Sequence, residues 1–297
     1  MNASTRSDYL KMANEIVQVI LANLDRPLDF RDVADVVAMS PFHVHRVFSA
    51  LAGESINEMH RRLRLERACY ALKYSQEPVG EIALLAGYGS HESFVRGFKA
   101  VFSSTPSEAR SDSRRDYHVR VSNGVHFFSG TRAVALKPAV VGDIQMEVNI
   151  LENCESRRLA IVPHQGAYHL IGSAFEKLGG LASQNQLWGG SMIAIYYDSP
   201  ELTAEPELRS AAGIEIMGDR PAPAGMDEVS LSGGRWACYR HVGPYSGLGD
   251  SWNKFSSWLV QNGYEFGMEP AYELYVNDCS RVAPHELLTD LYISVKP

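Results

Sequence analysis

The strongest constraint on the fold is a repeat in the second half of the chain. Residues 158–185 align without a gap on residues 235–262, and nine of the 28 aligned positions are identical. Ordinary amino-acid composition would give about two identities over this length. Each copy reads as a strand, a glycine-containing turn, a helix and further strands. The repeat therefore predicts an α+β domain of duplicated β-α-β-β modules related by a pseudo-twofold axis.

A second repeat lies in the first half, where the hydrophobic pattern is helical throughout. The pattern of Val44, Arg46 and Phe48 recurs 50 residues later as phenylalanine, arginine and phenylalanine. Each copy contains a short supporting helix, a tight turn and a second helix with one apolar stripe, which is the arrangement of a helix-turn-helix. The supporting helix of the first copy is predicted over residues 29–38. The first half is therefore predicted to be an all-α tandem helix-turn-helix domain.

Length and charge indicate a multidomain chain, because 297 residues exceed what one hydrophobic core usually organises. The net charge is +1 over residues 1–120, with 16 Lys and Arg against 15 Asp and Glu, and −8 over residues 121–297, with 12 against 20. Nucleic-acid contact is expected from the first half, since phosphate repels the acidic second half. Periodicity is lost between the halves, so we place the helical domain at residues 8–110, a linker at 111–144 and the α+β domain at 145–297.

Helical spacing separates a packed face from an open face in the second helix of each helix-turn-helix. The residues predicted to face inward are Val44, Val47, Phe48 and Leu51 in the first copy and Phe94, Phe98 and Val101 in the second. The residues opposite the apolar stripe of the first copy are Phe42, His45, Arg46 and Ser49. This face is expected to enter the major groove of DNA. For Arg46, and for its equivalent Arg96 in the second copy, the alternative is a salt bridge inside the domain.

One continuous helix of about 19 residues is predicted between the two units, over residues 56–74. It could hold the two reading helices in successive major grooves. Arg61 and Arg62 either contact phosphate or form a solvated surface, and Arg64 is expected to make a structural salt bridge.

The differences between the two copies of the second repeat single out Glu273, because the aligned position in the first copy is Ala194. The strand period of two places Glu273 on the same face as Tyr275, in a run that is otherwise apolar enough to be buried. A buried carboxylate is costly unless it is paired, hydrogen-bonded or matched by a cationic or proton-donating ligand. Glu273 is therefore the first candidate for a binding site, and the alternative is a salt bridge to Arg235 or Arg240.

Residues 8–110 resemble the AraC/XylS-type DNA-binding domain in three runs, MSPFHVHRVFSALAGES, RRLRLERACYAL and VGEIALLAGYGSHESFVRGFKAVFSSTPSEAR. The resemblance implies transcriptional regulation and contact of both second helices with double-stranded DNA. The contacts that it implies, together with Ser49 on the same face, are Phe42, His45 and Arg46 in the first copy and His91, Glu92, Val95 and Arg96 in the second.

Residues 145–297 resemble the GyrI-like, or Rob/BmrR-type, multidrug-sensing domain through the duplicated module and the runs GRWACYRHVGPYSGL and PAYELYVND. The resemblance places Glu273 where the family has its central pocket glutamate. It implies a cationic or polar aromatic effector, held by stacking, cation–π attraction and one charge. The implied aromatic walls are Trp236, Tyr196 and Tyr275, with Tyr168 and Tyr292 as further candidates.

The sequence therefore predicts a regulator whose C-terminal groove binds a small effector, with RNA polymerase left open as a further partner. The alternative is a GyrI-like small-molecule hydrolase fused to a DNA-binding domain, in which Glu273 would activate water. No catalytic residue, metal site or cofactor is predicted. The four cysteines are scattered and no apolar run approaches the roughly 18 residues that span a bilayer, so a reduced cytoplasm and no membrane partner are expected.

Overall fold

Contacts in the computed structural model divide the chain into two compact units. The unit that we call the sheet unit contains Met1–Arg6, Met39–Val47 and Gly142–Pro297, and the helical unit contains Ser7–Ala38 and Phe48–Val141. The structure describes residues 3–28, 32–33, 37, 41–112, 117, 119–129, 135–138, 144–187, 189–200 and 203–297. Much of the predicted first supporting helix, residues 29–38, lies outside this described part.

The first half is helical, as predicted. Its helices in the described part are α1 (Ala3–Ala22), α2 (Pro41–Ala52), α3 (Ile56–Tyr74), α4 (Val79–Leu85), α5 (His91–Phe102) and α6 (Pro106–Ser111). The predicted continuous helix over residues 56–74 is α3, and α4 with α5 forms the second helix-turn-helix. None of the helices among the described residues is both long and apolar enough to cross a membrane.

Capping residues fix where these helices begin. Ser55 and Glu58 form a reciprocal capping box at the start of α3, and Thr105 and Glu108 form another at the start of α6. The Ser90 side chain accepts a hydrogen bond from the Ser93 amide and so caps α5. These local signals set the register of the faces that pack inward.

The turn between α4 and α5 requires glycine at position 87. Its φ is +78°, a left-handed conformation that L side chains rarely adopt, and a Cβ there would overlap the Arg64 guanidinium. Phe94 and Phe98 on α5 are fully buried in a core that also contains Leu65 of α3. The turn and this core together hold α5 against α3.

Arg62 belongs to the interior of the helical unit, so both interpretations of it, phosphate contact and solvated surface, were wrong. Its guanidinium donates to Glu54 and Glu66, and also to the Val125 carbonyl at 2.9 Å. Asn123 donates to the Ala52 carbonyl at 2.8 Å. The described residues 119–129, within the predicted linker, are therefore part of the helical unit.

The second half forms one antiparallel sheet with helices, which confirms the predicted α+β class. Its strands are β1 (Val148–Cys154), β2 (Arg157–Gln165), β3 (Met192–Tyr196), β4 (Arg209–Glu215), β5 (Asp227–Leu231), β6 (Gly234–Val242), β7 (Ala271–Tyr275) and β8 (Leu288–Ser294). The strand order is β1-β6-β8-β7-β3-β4-β2-β5. Helix α7 (Gly172–Gln184) follows β2, and α8 (Leu248–Gln261) follows β6.

The two central strands carry the position that the repeat singled out. On β3 and β7, Ala194 is the direct cross-strand neighbour of Glu273. Glu273 contacts Trp252 of α8, so it lies on the face of the sheet that carries this helix. Tyr272, one residue earlier, lies on the other face in a core with Tyr292. The sheet therefore has two distinct aromatic clusters on opposite faces.

Candidate functional site

The Glu273 carboxylate lies on the central strand β7, where only 3% of the residue is exposed. Three aromatic side chains donate hydrogen bonds to it. The Trp252 indole donates to Oε1 at 2.8 Å, and the hydroxyls of Tyr196 and Tyr275 donate to Oε2 at 2.9 and 2.8 Å. We call Glu273, Tyr168, Tyr196, Trp252 and Tyr275 the Glu273 cage.

The electrostatics of the cage favour neutral phenols around a single acid. Burial and the neighbouring carboxylate raise the pKa of Tyr196 and of Tyr275 well above its usual value, so both hydroxyls stay protonated and donate. Burial also raises the pKa of Glu273, while its three hydrogen bonds and the positive charge of Arg46 oppose that shift. On balance the pKa of Glu273 is raised, so the charged form of this carboxylate is costly in the cage and a cation beside it would stabilise that form.

Contacts between aromatic rings order the cage on this face of the sheet. Tyr168 meets Tyr196 edge-on with ring centroids 4.9 Å apart, and its hydroxyl donates to the Asp198 carbonyl at 2.7 Å. Phe175 of α7 packs edge-on against Tyr275 at 5.4 Å. Edge-to-face contacts of this kind hold aromatic rings in fixed orientations. The structure thus brings together Glu273 and three of the predicted aromatic residues, which are Tyr168, Tyr196 and Tyr275.

Trp236 and Tyr292 do not lie in the Glu273 cage, which corrects their predicted grouping with it. Both contact Tyr272 on the opposite face, with ring centroids 5.1 Å away for Trp236 and 4.5 Å away for Tyr292. The reason is strand alternation, because Tyr292 is the cross-strand neighbour of Tyr272 and not of Glu273. Trp236, Tyr272 and Tyr292 line a separate cavity of about 280 Å³.

Trp252 is the cage residue that sequence reasoning missed. A signal for it was present, because position 252 aligns with Phe175 in the repeat and both residues are aromatic. Both pack over the same strand, since Trp252 donates to Glu273 and Phe175 contacts Tyr275.

The alternative of a salt bridge from Glu273 to a strand arginine was wrong. Arg235 pairs with Glu152 at 2.7 Å, and Arg240 pairs with Asp290 at 2.7 Å. Among the described residues, no three His, Cys, Asp or Glu side chains are grouped as a metal site would require.

Arg46 is placed against the cage in the sheet unit. Its guanidinium carbon lies 4.8 Å from the ring centroid of Trp252, and its Nη1 lies 3.5 Å from the Ser256 hydroxyl oxygen. Burial lowers the pKa of Arg46 to about 10, and the nearby Glu273 and Tyr168 oppose that shift. The arginine that the sequence assigned to DNA therefore lies against an aromatic ring of the cage.

The rest of the first reading helix is also covered to a large extent. The residues of the predicted apolar stripe, Val44, Val47 and Phe48, are fully buried, as expected. His45 and Ser49, predicted to face DNA, are half-buried. The side chain of Phe42, also predicted to face DNA, lies outside what the structure describes.

The second reading helix, α5, differs in exposure. His91, Glu92 and Arg96 are exposed, and Val95 is half-buried. Phe94 and Phe98 face inward on the same helix and are fully buried. All four predicted contact residues of the second copy are therefore at least partly accessible, on a helix held by its cap and its core.

Comparison with known proteins gives matches over both halves. The family described as GyrI-like small molecule binding domain matches residues 146–296, and the family described as helix-turn-helix domain matches residues 33–112. Transcriptional regulator Rob of Salmonella typhimurium is 35% identical over 106 residues, which are 36% of this chain and 37% of Rob. Regulatory protein SoxS of Escherichia coli is 29% identical over 102 residues, which are 34% of this chain and 95% of SoxS.

A further relative matches a larger share of this chain. The DNA gyrase inhibitor of Citrobacter rodentium is 28% identical over 141 residues, which are 44% of this chain and 88% of that protein. The chain spans little more than a third of the length of Rob. The matches confirm both resemblances drawn from the sequence, to the AraC-type DNA-binding domain and to the GyrI-like domain. The chain therefore belongs to the family of the GyrI-like small molecule binding domain, and it carries a helix-turn-helix domain before it.

Proposed function

We propose that the chain is a transcriptional regulator that binds double-stranded DNA and whose GyrI-like domain binds a small aromatic cation at the Glu273 cage. The observation that carries the proposal is the buried Glu273 carboxylate, which three aromatic donors hold. RNA polymerase is the partner through which such a regulator would alter transcription.

The chemistry of the cage favours a flat cation over a neutral or anionic ligand. A buried carboxylate whose three hydrogen-bond donors are neutral side chains is costly to ionise, and a cation beside it would stabilise the charged form. The face of Trp252 already lies under a guanidinium, a geometry in which ring and cation attract each other. An anionic ligand would meet repulsion from Glu273.

DNA binding would use the exposed face of α5 in the effector-free state. His91, Glu92 and Arg96 are accessible there, and an arginine on a reading helix can donate two hydrogen bonds to guanine. The half-buried face of α2 would supply the second contact, by His45, Arg46 and the predicted Phe42 and Ser49.

The order of the elements and of the strands in the sheet supports a duplicated origin for the GyrI-like domain. The elements β2, α7, β3 and β4 follow the same order as β6, α8, β7 and β8. Reading outward from the centre, the sheet runs β3, β4, β2 on one side and β7, β8, β6 on the other. We infer a pseudo-twofold relation about the β3–β7 pair, with Glu273 beside that axis.

No observation on the described residues favours the hydrolase alternative. Both oxygens of Glu273 accept hydrogen bonds from aromatic donors. To remove a proton from water, the carboxylate would have to give up at least one of them. We therefore assign Glu273 to ligand binding.

The effector site is tested by calorimetric titration of the full chain with benzamidine, an aromatic amidinium, and with the uncharged benzamide. We expect binding of benzamidine and none of benzamide. Glu273→Gln should weaken benzamidine binding at least about tenfold, since hydrogen bonds to charged groups contribute about 1.5–3 kcal/mol. The matched control is Glu176→Gln on the exposed face of α7, which should bind like the wild type. Equal binding by the wild type and Glu273→Gln would refute the site.

DNA binding is tested separately, with a fluorescent duplex selected from a random pool by the full chain. Affinity should fall steeply as salt rises from about 50 to 200 mM, because phosphate contacts release counterions. A chain that selects no sequence from the pool would contradict the proposed regulator.

A further inference from the structure

The Glu273 cage already lies against a cation that belongs to the chain itself. The Arg46 guanidinium lies 4.8 Å from the centroid of Trp252, and Trp252 in turn donates to Glu273. Arg46 and Glu273 act on each other electrostatically, since each shifts the pKa of the other toward its charged form. Arg46 therefore meets the same ring and the same charge that a cationic effector would meet.

Arg46 is also a candidate for DNA contact, and it cannot serve both purposes at once. A guanidinium that reads guanine must lie in the plane of the base with two hydrogen bonds to its edge. In the structure it lies over Trp252 with Nη1 next to Ser256, and the sheet unit includes the first turns of α2 up to Val47. Binding to the cage and binding to DNA by Arg46 are thus mutually exclusive.

The second helix-turn-helix provides an internal comparison. Arg96 occupies the position equivalent to Arg46, 50 residues later, and is exposed. Ordinary helix packing therefore does not require the arginine of this position to be covered. The covering of Arg46 is specific to the first copy.

We propose that Arg46 is a built-in competitor of the effector: a flat aromatic cation displaces it from the Glu273 cage and thereby frees the first reading helix for DNA. The inference rests on the proposed function, because it takes the cage as the effector site. It adds the direction of regulation, since the effector raises the DNA affinity of the first reader. It also narrows the ligand class to cations that resemble a guanidinium.

The resemblance to guanidinium gives the effector class its chemistry. A guanidinium or amidinium is planar and weakly hydrated, so it can leave water to lie on an indole face. An ammonium of the same charge is compact and strongly hydrated, and it would lose more on entering the cage. Benzamidine should therefore bind more tightly than benzylamine, which has the same ring and the same charge.

A tethered competitor lowers the apparent affinity of the effector by the fraction of molecules in which the site is open. If Arg46 occupies the site in about ten times as many molecules as those in which the site is open, removal of the Arg46 side chain should strengthen effector binding about tenfold. His43 also holds α2 in place, with its ring 5.2 Å from that of Phe266. A bound effector therefore has to outweigh both contacts.

The test is calorimetric titration of the full chain with benzamidine in four forms: wild type, Arg46→Gln, Arg96→Gln and Glu273→Gln. We expect Arg46→Gln to bind about tenfold more tightly than the wild type and Arg96→Gln to bind equally. If Arg46→Gln binds no more tightly while Glu273→Gln binds weakly, the competitor is refuted and the effector site stands. If Glu273→Gln binds like the wild type, the proposed effector site fails, and the competitor fails with it.

A second measurement uses the unaltered protein, so it does not depend on how a variant folds. Hydrogen exchange of the backbone amides of residues 43–47 is followed with benzamidine, with benzamide and without ligand. Exchange should be faster with benzamidine than with benzamide or without ligand, because displacement of Arg46 loosens the first turns of α2. Unchanged or slower exchange on benzamidine binding would overturn the proposal.

Discussion

Acid should weaken the sheet unit through one buried histidine, His43. It is 2% exposed and its ring lies 5.2 Å from that of Phe266. Burial and the adjacent charge of Arg46 lower the pKa of His43 from 6.5 to about 3. In the unfolded chain it gains a proton as the pH falls through 6.5, whereas in the folded chain it stays neutral. Its neutral form therefore supports folding above pH 6.5, and this support is lost as the pH falls.

The size of the effect follows from the two pKa values. At pH 5 the pH is about 1.5 units below the pKa of His43 in the unfolded chain and still above its pKa in the folded chain. The free energy of unfolding should therefore be roughly 2 kcal/mol lower at pH 5 than at pH 8. Tryptophan fluorescence is a suitable readout, because all four tryptophans lie between residues 142 and 297. Urea unfolding of wild type and of His43→Phe, which keeps a ring and cannot titrate, is compared at both pH values.

The wild type should lose roughly 2 kcal/mol more than His43→Phe on going from pH 8 to pH 5. Carboxylates that titrate in the same range contribute equally to both proteins, so the difference isolates His43. The control is His91→Phe at an exposed position of α5, which should keep the pH dependence of the wild type. An identical loss in the wild type and His43→Phe would refute the reasoning, because it would mean that His43 is protonated in the folded protein without cost.

Two further predictions concern the helical unit. Gly87→Ala should destabilise it by about 1–2 kcal/mol, because alanine is strained at a φ of +78° and its Cβ displaces the Arg64 guanidinium; circular dichroism melting would detect this, and an unchanged melting curve would contradict it. Arg96→Ala should cost about 1–3 kcal/mol of DNA affinity and relax the preference at one base position of the selected duplex. Equal weakening on every duplex would show instead that Arg96 contacts phosphate.

Local periodicity predicted which face of each helix packs inward, because the spacing of apolar residues over a few turns is enough to define an apolar stripe. Val44, Val47, Phe94 and Phe98 were assigned inward from spacing alone, and all four are fully buried. The same reasoning placed Glu273 on a buried strand face, where it lies. In each case a period of 3.6 or 2 in the sequence corresponds directly to one face of an element.

Contacts between distant elements were less accessible to sequence reasoning. Trp236 was assigned to the Glu273 cage, and it lies on the other face of the sheet, because one sequence does not give the register of β6 against its neighbours. Arg62 was considered a surface or phosphate-binding residue, and its partners Glu54 and Glu66 became evident only with the fold. Buried charges depend on such partners, and these are set by tertiary packing.

Arg46 and Arg96 show most clearly what a repeat can and cannot predict. The repeat gives them equivalent positions on equivalent helices, and helical spacing correctly excludes both from the apolar stripe. Spacing does not tell whether solvent, DNA or another part of the chain covers a polar face, and Ser256, to which Arg46 donates a hydrogen bond, is 210 residues away in sequence. Such departures from local expectation are commonly found at functional sites. The unequal exposure of two otherwise equivalent arginines therefore supports the proposal that an effector acts on the first reading helix.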